Sequence, residues 1–156
     1  MQTERPTVAA DIEEAYRAEG DRLFYALLAY SGDPEIARDS VAEAFARAIA
    51  SAAAIREIVP WVWQVSFRLA AAELRHRSRL APLTEIQDHL APVPTDLFEA
   101  LARLSDRQRA TIVLHYYAGY PLDEIAALIG IRRGTVGVHL YRARVRLRRL
   151  LEEHDG

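Results

Sequence analysis

Hydrophobic positions recur along most of this chain at intervals of three and four residues, and strand-length alternation between turn residues is nearly absent. The pattern predicts an all-α protein. A first helix is expected from about Val8 to Tyr30, where Ile12, Tyr16, Leu23 and Leu27 repeat at helical spacing with Phe24 and Leu28 beside them. Ser31-Gly32-Asp33-Pro34 then places a glycine where a helix ends, an aspartate where the next is capped and a proline at its first position. A second helix, about Pro34 to Ala53, should therefore fold back closely on the first. Its inward residues would be Ile36, Val41, Phe45, Ala48 and Ile49, leaving Arg38, Asp39, Glu43 and Arg47 outward.

From Val59 to Phe67 the apolar residues alternate as an amphipathic strand would, but Pro60 suits a helix start and the alanines that follow favour a helix. A third helix is expected, with Trp61, Val65, Leu69 and Ala72 as its inward stripe. The segment LAPLTEIQDHLAPVPT, Leu80 to Thr95, holds three prolines and no sustained period, and reads as a linker. Two small helical domains follow from this, residues 1–79 and 96–156, joined by 80–95. In the second, Leu97, Phe98, Leu101 and Leu104 mark a short helix. Ser105 and Gln108 form a capping-box pattern that starts another, and a third lies between Pro121 and Gly130. The last is expected to begin at Thr135, burying Val136, Leu140, Ala143, Leu147 and Leu150.

Charge adds to this picture chiefly through its distribution. The 156-residue chain has a formal net charge of -2, yet residues 1–90 hold 10 Arg against 14 acidic residues and residues 91–156 hold 10 against 8. Arg132 to Arg149 contains seven Arg and no Asp or Glu, a density suited either to a solvated helix face or to a phosphate backbone. All 20 basic residues are Arg, so clustering is more informative than abundance. The absence of cysteine excludes disulfides, thiolate metal sites and a cysteine nucleophile. Without a membrane-length apolar run or a signal-like order in Met1 to Ala10, cytoplasmic residence is expected.

The most specific motif is Leu122 to Gly130 followed by Ile131-Arg132-Arg133-Gly134-Thr135-Val136 and a long basic helix. It reads as a helix-turn-helix in which Ile125, Ala126 and Ile129 pack inward, Gly130 makes the turn and Thr135 caps the second helix. The start of such a second helix enters the DNA major groove while nearby Arg side chains hold phosphates. Arg132, Arg133, Thr135, His139, Arg142 and Arg146 are the candidates here.

At these residues the chain resembles the extracytoplasmic-function sigma factors of bacterial RNA polymerase, members of the sigma-70 family. Leu104 to Leu151 is similar to the family's sigma-4 domain, the reader of the minus thirty-five promoter element. Gly32-Asp33-Pro34 with Asp39-Ser40-Val41-Ala42-Glu43-Ala44-Phe45 resembles the polymerase-binding helix of its sigma-2 domain. Pro60 to Arg79 resembles the helix that opens and reads the minus ten element. The resemblance implies that Asp39, Glu43 and Arg47 face core RNA polymerase, and that Trp61, Trp63, Arg68, Arg75, Arg77 and Arg79 serve the minus ten DNA. Aromatic faces with adjacent cations are what an opened strand requires. Where the family often carries a polar or basic triplet, this chain has Gly137-Val138-His139, which offers fewer phosphate donors.

A promoter-specificity factor is therefore expected, with core polymerase, promoter DNA and an anti-sigma factor as partners and no cofactor. Catalysis is expected to belong to the polymerase, since no phosphate loop, paired catalytic carboxylates or clustered histidines occur. A stand-alone dimeric helix-turn-helix regulator would instead bind a two-fold operator unaided. A helical adapter would show no DNA binding sensitive to salt and sequence.

Overall fold

The computed structural model describes residues 8–80 and 95–154, without the side chains of Arg79, Leu80, Thr95 and His154. Among the described residues seven α-helices succeed one another: α1 (Val8–Ser31), α2 (Pro34–Ala50), α3 (Ile58–Leu80), α4 (Thr95–Ala102), α5 (Asp106–Ile112), α6 (Leu122–Ile129) and α7 (Arg133–His154). A 3-10 turn, Ala52–Ala54, follows α2, and a π-turn, Val113–Tyr117, continues α5. The described residues contain no strand, and all but the ends of the expected linker lies outside them.

Local chemistry sets the helix ends. Gly32 adopts φ 70°, a left-handed conformation that costs a residue with a Cβ, and its N–H donates to the Leu28 carbonyl at 2.8 Å. The Asp33 side chain then accepts from the Glu35 N–H at 2.9 Å, with Pro34 opening α2. Ser105 and Gln108 make the reciprocal capping box expected of them, each bond 3.2 Å long.

Helix α3 differs from the expected register. Its buried residues are Val62, Trp63, Ser66, Phe67 and Ala70, whereas Trp61, Val65 and Leu69 are half-buried and Ala72 is exposed. The helix is apolar around most of its first three turns, so periodicity leaves two candidate faces. Ser66 turns inward at little cost because its hydroxyl donates to the Trp63 carbonyl at 3.1 Å. Ile49 of α2, expected inward, is exposed.

The two helical units also share one core. Ala110, Val113, Leu114, Ile125, Leu128 and Val136 from the C-terminal unit join Leu23, Leu27, Trp63 and Phe67 in a single buried cluster. The buried residues of a smaller cluster, Leu101, Leu104, Ile112, Leu140 and Ala143, come from the C-terminal unit, with Ala29 of α1 packed against them. Trp63 lies at the junction, stacked on Phe67 with ring centroids 6.0 Å apart and edge-on to Tyr120 at 5.7 Å.

Candidate nucleic-acid interface

The α6–α7 pair is held by a turn at Gly130, φ 73° and ψ 37°, whose N–H bonds to the Ala126 carbonyl at 2.9 Å. A Cβ at that φ is strained, so Gly130→Ala should lower stability by about 1–2 kcal/mol, measurable by thermal unfolding. Ile125 and Leu128 of α6 are buried against Val136 of α7, with Ala126 and Ile129 only half-buried. The expected capping role of Thr135 is corrected: α7 starts at Arg133, and the Val136 N–H already bonds to the Arg132 carbonyl at 3.0 Å. Thr135 instead sits in the first helical turn, exposed to solvent.

Arg132, Arg133, Thr135, Arg142 and Arg146 are all exposed on α7 or at its start. The positive end of the helix and these side chains together favour a phosphate. Arg133 pairs with Asp123 of α6 at 2.8 Å, but both side chains are largely exposed, so solvent screening leaves the pair weak and exchangeable. His139 differs from the other candidates. It is half-buried, its Nδ1 is sealed from solvent without a hydrogen-bond partner, and burial followed by the nearby Arg107 and Arg142 lowers its pKa below the usual imidazole value. A neutral ring turned partly inward is a poor phosphate ligand.

On α3 the candidates separate. Arg68 and Arg75 are exposed and line an open cleft of about 470 Å³, faced across it by Asp106, Arg107 and Leu128 of the C-terminal unit. Trp61 is half-buried. Trp63, expected to offer a face to DNA, is 1% exposed, and its indole N–H points at Glu19 Oε2, 3.4 Å away. In this arrangement it is core, because the α3 register turns it into the junction between the units. Arg77 is held among carboxylates, paired with Asp33 and with Glu73 at 3.2 Å, with Glu35 at 4.0 Å. It ties α3 to the start of α2 rather than standing free for a phosphate. The side chain of Arg79 lies outside the described residues.

Asp39, Glu43 and Arg47 share the outer face of α2, all exposed, with Arg47 Nε 2.9 Å from Glu43 Oε1. Periodicity did not reveal Arg109, buried in α5, or Arg22 of α1, which donates to the Tyr117 and Ala118 carbonyls at 3.0 and 3.2 Å. The Tyr30 carbonyl that Arg109 meets and the carbonyls that Arg22 meets lie 79 to 96 positions away in sequence, so no local signal marks these contacts.

Residues 95–147 match the family described as "Sigma-70, region 4". RNA polymerase sigma factor SigV of Bacillus subtilis is 30% identical over 145 residues, covering 85% of this chain and 86% of the relative. The ECF RNA polymerase sigma factor SigE of Mycolicibacterium smegmatis is 27% identical, covering 92% of this chain and 63% of its own. Among solved structures, the sigma factor RpoE in complex with the anti-sigma factor NepR from Bartonella quintana superposes with a TM-score of 0.79 at 23% identity, covering 91% of this chain and 97% of that one.

Proposed function

The chain belongs to the extracytoplasmic-function group of the sigma-70 family, and on that footing we propose that it binds core RNA polymerase and directs it to promoters through their minus ten and minus thirty-five elements. The observation that supports this reading most is the exposed arginine face of α7, which follows the Gly130 turn. Residues 1–79 act as the sigma-2 unit and 96–156 as the sigma-4 unit. Asp39, Glu43 and Arg47 meet polymerase, and Trp61, Arg68 and Arg75 serve the minus ten strand. Arg132, Arg133, Thr135, Arg142 and Arg146 hold the upstream duplex. Chemistry stays with the polymerase, and no cofactor is needed.

An anti-sigma factor is a further proposed partner, supported by the fold shared with a sigma factor crystallised with one. The stand-alone dimeric regulator is not favoured, because the similarity extends through both units. Among the described residues no helix is long and apolar enough to cross a membrane, and the proposed site of action is the cytoplasm. The two promoter elements lie about 25 base pairs apart, on the order of 85 Å at about 3.4 Å per pair. Since α3 packs against α6 here, reading both at once requires the units to part.

Run-off transcription with purified core polymerase tests the proposal: chain-dependent start sites are expected, and their absence defeats it. Changing Arg132 and Arg133 together to Ala should weaken templates that rely on the upstream element and lower the log–log salt slope of binding by about two. Polymerase binding should be unchanged; an equal loss there contradicts the assigned roles.

A further inference from the structure

Along the outer side of α7, Val138 is 47% exposed, Tyr141 68% and Val145 37%, an apolar ridge opposite the buried Val136, Leu140 and Ala143. At about 100° per residue, Val145 lies within about 20° of Val138 and Tyr141 within about 60°. By the same geometry Arg142 and Arg146 flank the ridge on one side, Arg144 and Arg148 on the other. The backbone next to Val138 is bare, since nothing lies within 4 Å of a Cβ placed on Gly134 or Gly137.

Resting on the proposed function, we propose that Val138 is a specificity-determining residue that packs against the C5-methyl group of a thymine in the minus thirty-five element. A helix with its side chains is about 10–12 Å across and the major groove about 12 Å wide, so the central ridge faces the groove floor while the flanking arginines face the phosphate walls. The floor displays donors, acceptors and one apolar feature, the thymine methyl. Valine can neither donate nor accept. Against any other base edge it would strip water from a polar group and return nothing. Only the first turns of a reading helix reach the bases, and Val138 lies in the second turn, about 10 Å ahead of Val145. That position selects Val138 from the ridge. Arginines on both flanks, in a stretch without an acidic residue, match a ligand with phosphates on two sides better than a protein surface.

The test uses the full chain with core polymerase on a promoter it selects in run-off transcription. Each thymine of the upstream element, on either strand, is replaced in turn by deoxyuridine, which pairs identically but lacks the methyl. One replacement should weaken binding about fourfold, the effect of one buried methyl, while the rest change little. In Val138→Ala that response should vanish, the variant binding both templates equally; alanine at this exposed helical position preserves the fold. An unaltered deoxyuridine response in Val138→Ala, or no sensitive thymine on either strand, overturns the proposal. Val138→Ala losing polymerase while retaining the thymine response also overturns it, by placing the ridge against protein. Failure of the unmodified chain to start transcription on unsubstituted DNA is a different result and overturns the function itself.

Discussion

Trp63→Ala should cost about 3–5 kcal/mol, the range for emptying a buried aromatic site, and should abolish promoter opening only by unfolding the protein. The indole is 1% exposed, stacked on Phe67 and edge-on to Tyr120, so truncation opens a cavity shared by α3 and the C-terminal unit. Against a total stability of about 5–15 kcal/mol that loss is severe. Urea unfolding followed by circular dichroism measures it, and Trp63→Phe provides the second arm. Phenylalanine keeps most of the apolar contact and forfeits the approach to Glu19, so it should fold with a smaller loss and still support promoter opening at permissive temperature. Normal stability in Trp63→Ala together with failed opening would put the indole on DNA rather than in the core. Trp61, half-buried on the same helix, is the residue for which that second pattern is expected.

The contrast between the two tryptophans shows where sequence is informative. The turns at Gly32-Asp33-Pro34, Ser105 and Gly130 were legible because each depends on bonds spanning a few residues, between groups whose chemistry is unambiguous. The exposed Arg132, Arg133, Arg142 and Arg146 were legible for a related reason: the apolar period of α7 places them away from Val136, Leu140 and Ala143. In α3 the pattern has little to discriminate with, since Val59, Trp61, Val62, Trp63, Val65, Phe67 and Leu69 leave only the narrow Gln64–Arg68 edge polar over three turns, with Ser66 turned inward. What selects Trp63 over Trp61 is packing against α1 and α2 together with the other unit, where Trp63 meets Glu19 and Tyr120, beyond the reach of a local pattern. The start of α7 was displaced by two residues for a smaller reason: Thr135 is a good capping side chain, but the Arg132 carbonyl had already accepted the first helical bond. Packing between the units was not legible at all, because its polar anchors join residues 79 to 96 positions apart.

Those anchors support the other large prediction, that Arg109→Met loosens one unit from the other. Tyr30 is in the last turn of α1, where carbonyls have no partner within the helix. Arg109, from α5, donates to that carbonyl through Nε and to the Leu104 carbonyl through Nη1 at 3.0 Å, with its guanidinium 5.4 Å above the Tyr30 ring. Arg22 of α1 does the reverse, meeting the carbonyls of Tyr117 and Ala118 where the π-turn ends. Each unit thus completes a helix terminus of the other. The two arginines are not equal, because Arg109 is 7% exposed and Arg22 is exposed. Arg109 also pairs with Asp106, 59% exposed in its side chain, so removing the guanidinium leaves no charge stranded in the interior. The larger penalty for a broken buried ion pair therefore does not apply. The cost comes instead from two carbonyls left without a donor, about 1–3 kcal/mol each when buried, giving on the order of 2–6 kcal/mol. Arg22→Met should lose under about 1 kcal/mol, as solvent replaces its bonds. The chain has no cysteine, so dyes placed by Ala46→Cys and Ala127→Cys, both on exposed positions of different units, report the separation directly. Arg109→Met should lengthen and broaden the inter-dye distance before either unit unfolds, and Arg22→Met should leave it nearly unchanged. Loss of helicity in step with separation would show that the shared core, rather than the buried guanidinium, holds the units together.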